Sequence, residues 1–232
     1  MSPASEPAPP LIGVVLAGGA GRRLGGVDKG ALRLGDHSLL DHAVAALDRA
    51  GTVVVVGPEA RTRRPVRFTR EEPPGGGPVA GLLAGLLAGL DELARPPGEG
   101  ARAAWLAVLA VDMPWVTAAT FDRLLAAAAG RDGAFLHGDG GRRQLCGVLA
   151  LPRLLPAAQE IGSGHGVAVR RLLDPLDLAA VPARGSEARD VDTWADLPGG
   201  GQPPGQTGAQ AGAAAREWDG ERNGKRDLHD PS

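Results

Sequence analysis

Short unbroken apolar runs alternate with longer stretches in which apolar residues recur every three or four positions. Residues 11–16 read Leu-Ile-Gly-Val-Val-Leu, residues 52–56 are Thr followed by four valines, and residues 105–111 are apolar throughout. Runs of this length without polar alternation predict strands buried on both faces. Residues 66–69, 134–136, 145–151 and 178–181 predict further strands, with 145–151 expected to run antiparallel. Between them the period changes to that of a helix. Ser38 with Asp41 three residues on resembles a capping box, and Leu40, Val44 and Leu47 follow at helical spacing until Gly51. Residues 78–94 predict a helix with Val79, Leu82, Leu83, Leu86, Leu87 and Leu90 on its apolar side. Gly81, Gly85 and Gly89 recur every four residues along it, which predicts close packing of this helix on the sheet. Thr117 is placed to cap a helix reaching about Ala129. Residues 167–173 predict another, and residues 193–197 a last turn. Strands alternating with helices predict an α/β fold: three layers, α/β/α, around a mostly parallel sheet. Ligands of such sheets bind beyond the carboxyl ends of the strands.

Composition narrows the function classes. The 232 residues suffice for one well-buried domain. Residues 11–197 are expected to form it, with 1–10 and 198–232 as disordered Pro/Ala-rich and Gly/Pro/Ala/charged segments. A net charge of −2 gives no electrostatic reason to expect nucleic acid or a membrane surface as partner. No stretch reaches the ~18 apolar residues of a membrane span, and residues 1–10 lack the basic and apolar regions of a secretory signal. A cytoplasmic location is expected. The single cysteine, Cys146, excludes an internal disulfide and reads as a small core residue. His37, His42, His137, His165 and His229 show no ligand spacing.

The chemistry concentrates in a loop that directly follows the first strand. From Leu16 to Lys29 it carries five glycines, Arg22, Arg23 and Lys29. Glycines let backbone N–H groups close on an anion, and the cations add fixed charge, so the loop predicts a polyphosphate cradle. It is neither of two familiar cradles. From Gly19 and Gly21 a dinucleotide fingerprint would need Gly or Ala where Leu24 stands, and a P-loop would need Ser or Thr after Lys29, where Gly30 stands. Asp112 follows the strand 105–111 and precedes Met113-Pro114. A carboxylate there, near a phosphate loop, suits Mg²⁺, which binds through one or two carboxylates plus substrate phosphates.

Leu-Ala-Gly-Gly-x-x-x-Arg-x-Gly-Gly-x-Asp-Lys at residues 16–29 resembles the signature of nucleotidyltransferases, and most of all that of the molybdenum cofactor guanylyltransferase family. Asp112-Met113-Pro114 and Gly77-Pro78-Val79-Ala80-Gly81 match further family motifs. The resemblance spans residues 11–197 and implies a Rossmann-like nucleotidyltransferase sheet. It implies transfer of GMP from Mg²⁺-GTP to molybdenum-bearing molybdopterin, giving the guanine dinucleotide and pyrophosphate. By it, Leu16, Ala17, Gly18, Gly19, Lys29, Gly57 and Asp112 bind the nucleotide. Arg23, Lys29 and Asp112 are catalytic, and Asp112 holds the metal. The acidic residue ahead of the Gly-Pro turn that accepts from guanine is Glu71 or Glu72. Arg142, Arg143, Gln144 and Arg170, with Asp192 of the turn Asp190-Val191-Asp192-Thr193, are the acceptor-side candidates, and Asp192 also stands near the metal role. Partners that supply or receive the cofactor are implied as well. Three readings compete. One is a cytidylyltransferase for the same cofactor, whose loop resembles Leu-Ala-Ala-Gly where Gly18 stands here. Another is a nucleotidyltransferase for a sugar or other precursor phosphate. The third is a nucleotide-binding handover protein without catalysis.

Overall fold

The computed structural model describes residues 10–18, 27–93 and 104–197. Among the described residues nine strands fall into two sheets. In chain order the elements are β1 (Leu11–Leu16), β2 (Arg33–Leu34), β3 (His37–Ser38), α1 (Leu39–Ala46), β4 (Thr52–Val56), β5 (Arg67–Thr69), α2 (Gly77–Leu93) and β6 (Trp105–Ala110). They continue with α3 (Ala118–Ala127), β7 (Gly133–His137), β8 (Arg143–Ala150), α4 (Leu151–Ile161), α5 (Val169–Leu173) and β9 (Leu178–Pro182). The main sheet has seven strands in the order β5-β4-β1-β6-β8-β7-β9, and β2 with β3 forms a small antiparallel ribbon. β1 pairs in parallel with β4 and β6, β4 with β5, and β7 with β9. β8 runs antiparallel between β6 and β7, as expected.

Strand alternation sends each sheet residue to one of two cores. Val15, Val53, Val55, Ala107 and Leu109 pack under α1 and α3. Ile12, Val14, Leu16, Leu106 and Val108 pack under α2, α4 and α5. Both faces of the sheet are covered, which is why β1, β4 and β6 carry no polar alternation. Ser38 caps α1 as its sequence predicts. Its Oγ accepts from the Asp41 N–H at 3.0 Å, and the Asp41 carboxylate accepts from the Ser38 N–H at 3.2 Å.

The glycine repeat of α2 lies flat on the sheet. A Cβ at Gly81 would stand 3.2 Å from Leu16, at Gly85 2.6 Å from Val14, and at Gly89 2.5 Å from Ile12. Those partners are central-strand side chains with no room to retreat. A helix gains about 1 kcal/mol from losing a glycine, but overpacking of a fixed core costs about 1–3 kcal/mol or more. Overpacking therefore wins. Gly85→Val is expected to cost about 3 kcal/mol, or roughly 6–12 °C in Tm. Gly51→Ala, where a Cβ meets nothing within 4 Å, is the control expected to leave Tm unchanged.

The structure departs from the sequence reading at α4. Residue 151 begins a helix rather than ending a strand, and the helix runs through Pro152 and Pro156. Pro152 sits in the first turn, where its missing N–H costs nothing. Leu151, Leu154 and Ala158 are buried at helical spacing. Pro156 masks that pattern in the sequence. The segment 167–173 is helical only from Val169.

Candidate active site

The carboxyl ends of β1, β4, β5 and β6 lie together, and the residues that follow them form two walls. The first wall is built around Gly18. The parallel ladder continues one residue past the strands: the Ala17 N–H donates to the Val56 carbonyl at 2.9 Å and the Gly57 N–H to the Thr69 carbonyl at 2.9 Å. Gly57 passes so close to Ala17 that a Cβ would stand 3.0 Å from its methyl and 3.1 Å from its carbonyl carbon. Only glycine fits there without displacing the start of the loop. Glu71, two residues past β5, turns its carboxylate toward Gly18, 3.6 Å from where a Cβ on Gly18 would lie. The Gly75 N–H donates to it at 3.3 Å. Glu72 is exposed. Of the two glutamates, Glu71 is the one the structure places beside Gly18.

The second wall is charged. Asp28 caps the short turn Lys29–Ala31 by accepting from the Gly30 N–H at 2.9 Å. That turn aims Lys29 at the end of β6. Its Nζ donates to Asp112 at 3.0 Å and to Asp192 at 2.7 Å. Asp112 comes from the end of β6. Asp192 comes from the segment after β9, which is tied back by the Val191 N–H donating to the Asp112 carbonyl at 2.8 Å. Residues 80 and more apart in sequence thus meet on one ammonium. Burial works against the charge of Lys29, but the hydrogen bonds and charges of Asp192 and Asp112 outweigh it and raise its pKa. Asp190 stands beside the pair. Burial, then the charge of Asp112, pushes its carboxyl up, with Asp192 adding to the effect against Arg142.

The structure divides the remaining candidates. Arg142 joins the second wall, 3.3 Å from Asp190. Gln144 is buried at the start of β8, against Gly138. Arg143 turns away to Asp174 at 3.9 Å and over the Phe135 ring at 5.9 Å. Arg170 is exposed in the first turn of α5, and its neighbour Arg171 lines a groove with Pro152, Pro156 and Glu160 beside Asp132, at the amino end of β7. Neither arginine is brought to the Lys29 cluster among the described contacts. Gly19 and Arg23 lie outside the described residues. Cys146 is fully buried, and burial pushes its thiol pKa far up, so it is a core residue.

The sequence reading passed over Glu187 and Arg123. Glu187 is a buried carboxylate that accepts from four donors. Burial opposes its ionisation, but the bonds from Arg123, Thr120 and the Arg184 N–H outweigh it and lower its pKa. The only sequence signal is that Thr120 and Arg123, three apart, put two polar groups on one side of α3.

The donor chemistry suits a hard divalent cation. Asp112 and Asp192 already close on one cationic group, and both offer only oxygen. Among the described residues no three His, Cys, Asp or Glu side chains form a ready-made metal cage. A pair of carboxylates suits an ion that is completed by substrate phosphates and water.

An open sheet with a glycine loop, a lysine and paired carboxylates at its carboxyl edge defines a nucleotide-handling α/β protein. The chain belongs to the MobA-like NTP transferase family, whose domain profile matches residues 13–181. It is 37% identical over 159 residues to a probable molybdenum cofactor guanylyltransferase of Opitutus terrae, covering 67% of this chain and 74% of the relative. Molybdopterin-guanine dinucleotide biosynthesis protein A from Archaeoglobus fulgidus has the same fold, with a TM-score of 0.58 at 20% identity over 80% of this chain and 94% of that one. A Mycobacterium tuberculosis protein solved as a complex with manganese matches with a TM-score of 0.56 at 19% identity, over 81% and 95% of the two chains. Among the described residues no helix is long and apolar enough to cross a membrane.

Proposed function

We propose that the chain transfers GMP from Mg²⁺-GTP to molybdenum-bearing molybdopterin, releasing pyrophosphate, and that residues 11–197 carry the activity. The observation behind this reading is Lys29 seated between Asp112 and Asp192 at the same carboxyl edge of the sheet as Gly18 and Glu71. The curated relatives' names support the choice of base and acceptor.

Gly18 leaves a bare backbone against which the base lies. Glu71 accepts from the N1–H and the amino group of guanine, an edge with two adjacent donors. Cytosine offers one amino donor with acceptors beside it, which a carboxylate repels. Lys29, with Arg23 from the same loop, neutralises charge on the phosphates. Asp112 and Asp192, which the Lys29 ammonium now bridges, would hold Mg²⁺ once that ammonium turns to the phosphates. The ion supplies charge neutralisation to the phosphate oxygens. An oxygen of the acceptor's phosphate forms a bond to the α-phosphorus while the bond from that phosphorus to the bridging oxygen of the β-phosphate breaks. The nucleophile is already an anion, so no strong base is required of the chain. Positioning and electrostatics carry the catalysis. Arg142, beside Asp190, borders the side on which the acceptor enters.

The base assignment is tested by calorimetry. Glu71→Gln is expected to weaken GTP binding about 10–100-fold, the value of a hydrogen bond to a charged group, and Glu72→Gln to leave it within about twofold of wild type. Unchanged affinity in Glu71→Gln contradicts the assignment. The reaction itself is tested with GTP labelled at the α-phosphate, whose label should pass to the pterin acceptor.

A further inference from the structure

The two carboxylates that meet on Lys29 belong to separate parts of the chain, and something must set their spacing. Asp112 is followed by Met113, Pro114, Trp115 and Val116, which lead into α3. Asp190 and Asp192 end a segment that leaves β9 at residue 182. One backbone bond joins the two directly, from Val191 N–H to the Asp112 carbonyl at 2.8 Å. The other link runs through Glu187. Its Oε1 accepts from the Thr120 hydroxyl at 2.6 Å and from Arg123 at 3.0 Å, and its Oε2 accepts from Arg123 at 2.7 Å and from the Arg184 N–H at 2.7 Å. Thr120 and Arg123 both lie on α3, whereas Arg184 and Glu187 lie on the segment that carries Asp190 and Asp192. The Arg189 guanidinium then stacks over the Trp115 ring at 5.0 Å, fastening the same two parts once more.

The geometry points to Glu187 as a positioning residue for the reaction: by fastening the segment 184–192 to α3 it fixes how far Asp192 and Asp190 stand from Asp112. This rests on the assignment of Asp112 and Asp192 to the catalytic centre. A carboxylate suits the task because it alone accepts the bidentate fork of Arg123 together with two further donors. A glutamine keeps the shape but surrenders one acceptor oxygen and the charge. None of the described bonds of Glu187 reaches either wall of the nucleotide site, so its effect passes through the two aspartates.

The test uses the full chain with Glu187→Gln, Glu187→Ala, Arg123→Met and the control Asp112→Asn. Thermal melting, kcat, KM for GTP, and Mn²⁺ affinity in the presence of GTP by electron paramagnetic resonance are read for each. Glu187→Gln is expected to stay folded with kcat about tenfold lower and Mn²⁺ affinity several-fold weaker, since a displaced group costs on this scale. KM for GTP should stay within about twofold, because the Gly18–Glu71 wall is untouched. Arg123→Met should lose a similar amount, and the two changes combined should lose no more than the larger single loss, because they break one linkage. Should Glu187→Ala fail to fold, the Gln variant and the Arg123 variant carry the result. A lowered Tm with kcat and Mn²⁺ affinity unchanged in the folded Gln variant overturns the positioning role. Full activity in Asp112→Asn overturns the site assignment, and this proposal with it.

Discussion

Asp112→Asn is expected to lower the rate of pyrophosphate release roughly a thousandfold while the protein keeps its fold. That magnitude is the upper range for removing one preorganised charge from a catalytic centre. Asparagine has the same shape, and its side-chain oxygen still accepts from Lys29, so the 3.0 Å contact survives. What disappears is the negative charge that would hold the divalent ion. The bond that ties the segment after β9 to this position uses the Asp112 backbone carbonyl, not its side chain. Tm should therefore stay within a few degrees of wild type. The loss should appear in kcat, with GTP still bound through its base by the opposite wall. A rate within tenfold of wild type would remove Asp112 from the catalytic role.

Lys29→Met comes next in size, with kcat expected to fall about 100–1000-fold. Two effects add. The phosphates lose a fixed positive charge, and Asp112 and Asp192 lose the cation that holds them together at 3.0 and 2.7 Å. Asp190, whose carboxyl already feels the charges of Asp112 and Asp192, adds to the repulsion that the ammonium offsets. Unlike Asp112→Asn, this change should lower Tm as well. The site is partly exposed, so the fall should be a few degrees rather than the larger loss of a fully buried pair. Lys29→Arg should restore much of the Tm but little of the rate. Either cation neutralises the carboxylates, but a planar guanidinium does not place its charge on the phosphates as a compact ammonium does. Kinetics and melting on the same preparations check both parts, and unchanged kcat in Lys29→Met contradicts the role.

Much of the fold was legible because burial on both faces leaves a plain trace. The runs at 11–16, 52–56 and 105–111 are the neighbouring strands β1, β4 and β6 almost to the residue. The four-residue glycine repeat of α2 foretold contact with the sheet, and Val14 and Ile12 fill the places a side chain would take. Where two signals conflict, the sequence misleads. The two prolines of α4 speak against a helix, yet one sits in its first turn and the apolar face of Leu151, Leu154 and Ala158 secures the rest. The ribbon of β2 and β3 has only two residues per strand, too few for any period to show.

The site divides along the same physical line. Backbone-built parts announce themselves by glycine and by position after a strand, as at Gly18, Gly57 and Asp112. Choices that depend on where a side chain turns do not. Glu71 and Glu72 are equivalent in sequence, and only the three-dimensional path puts Glu71 beside Gly18. Arg142 and Arg143 are adjacent too, yet one meets Asp190 and the other Asp174. Glu187 is the extreme case. Its side-chain partners are 64 and 67 residues away on α3, and no local pattern marks them.

The most direct measurement is pyrophosphate release by the purified chain with Mg²⁺ and molybdenum-loaded molybdopterin, GTP compared with CTP. Release with GTP and not with CTP, dependent on the pterin, is the predicted result. Release with CTP instead would contradict the role given to Gly18 and Glu71, and silence with both from a protein that still binds GTP would contradict the acceptor.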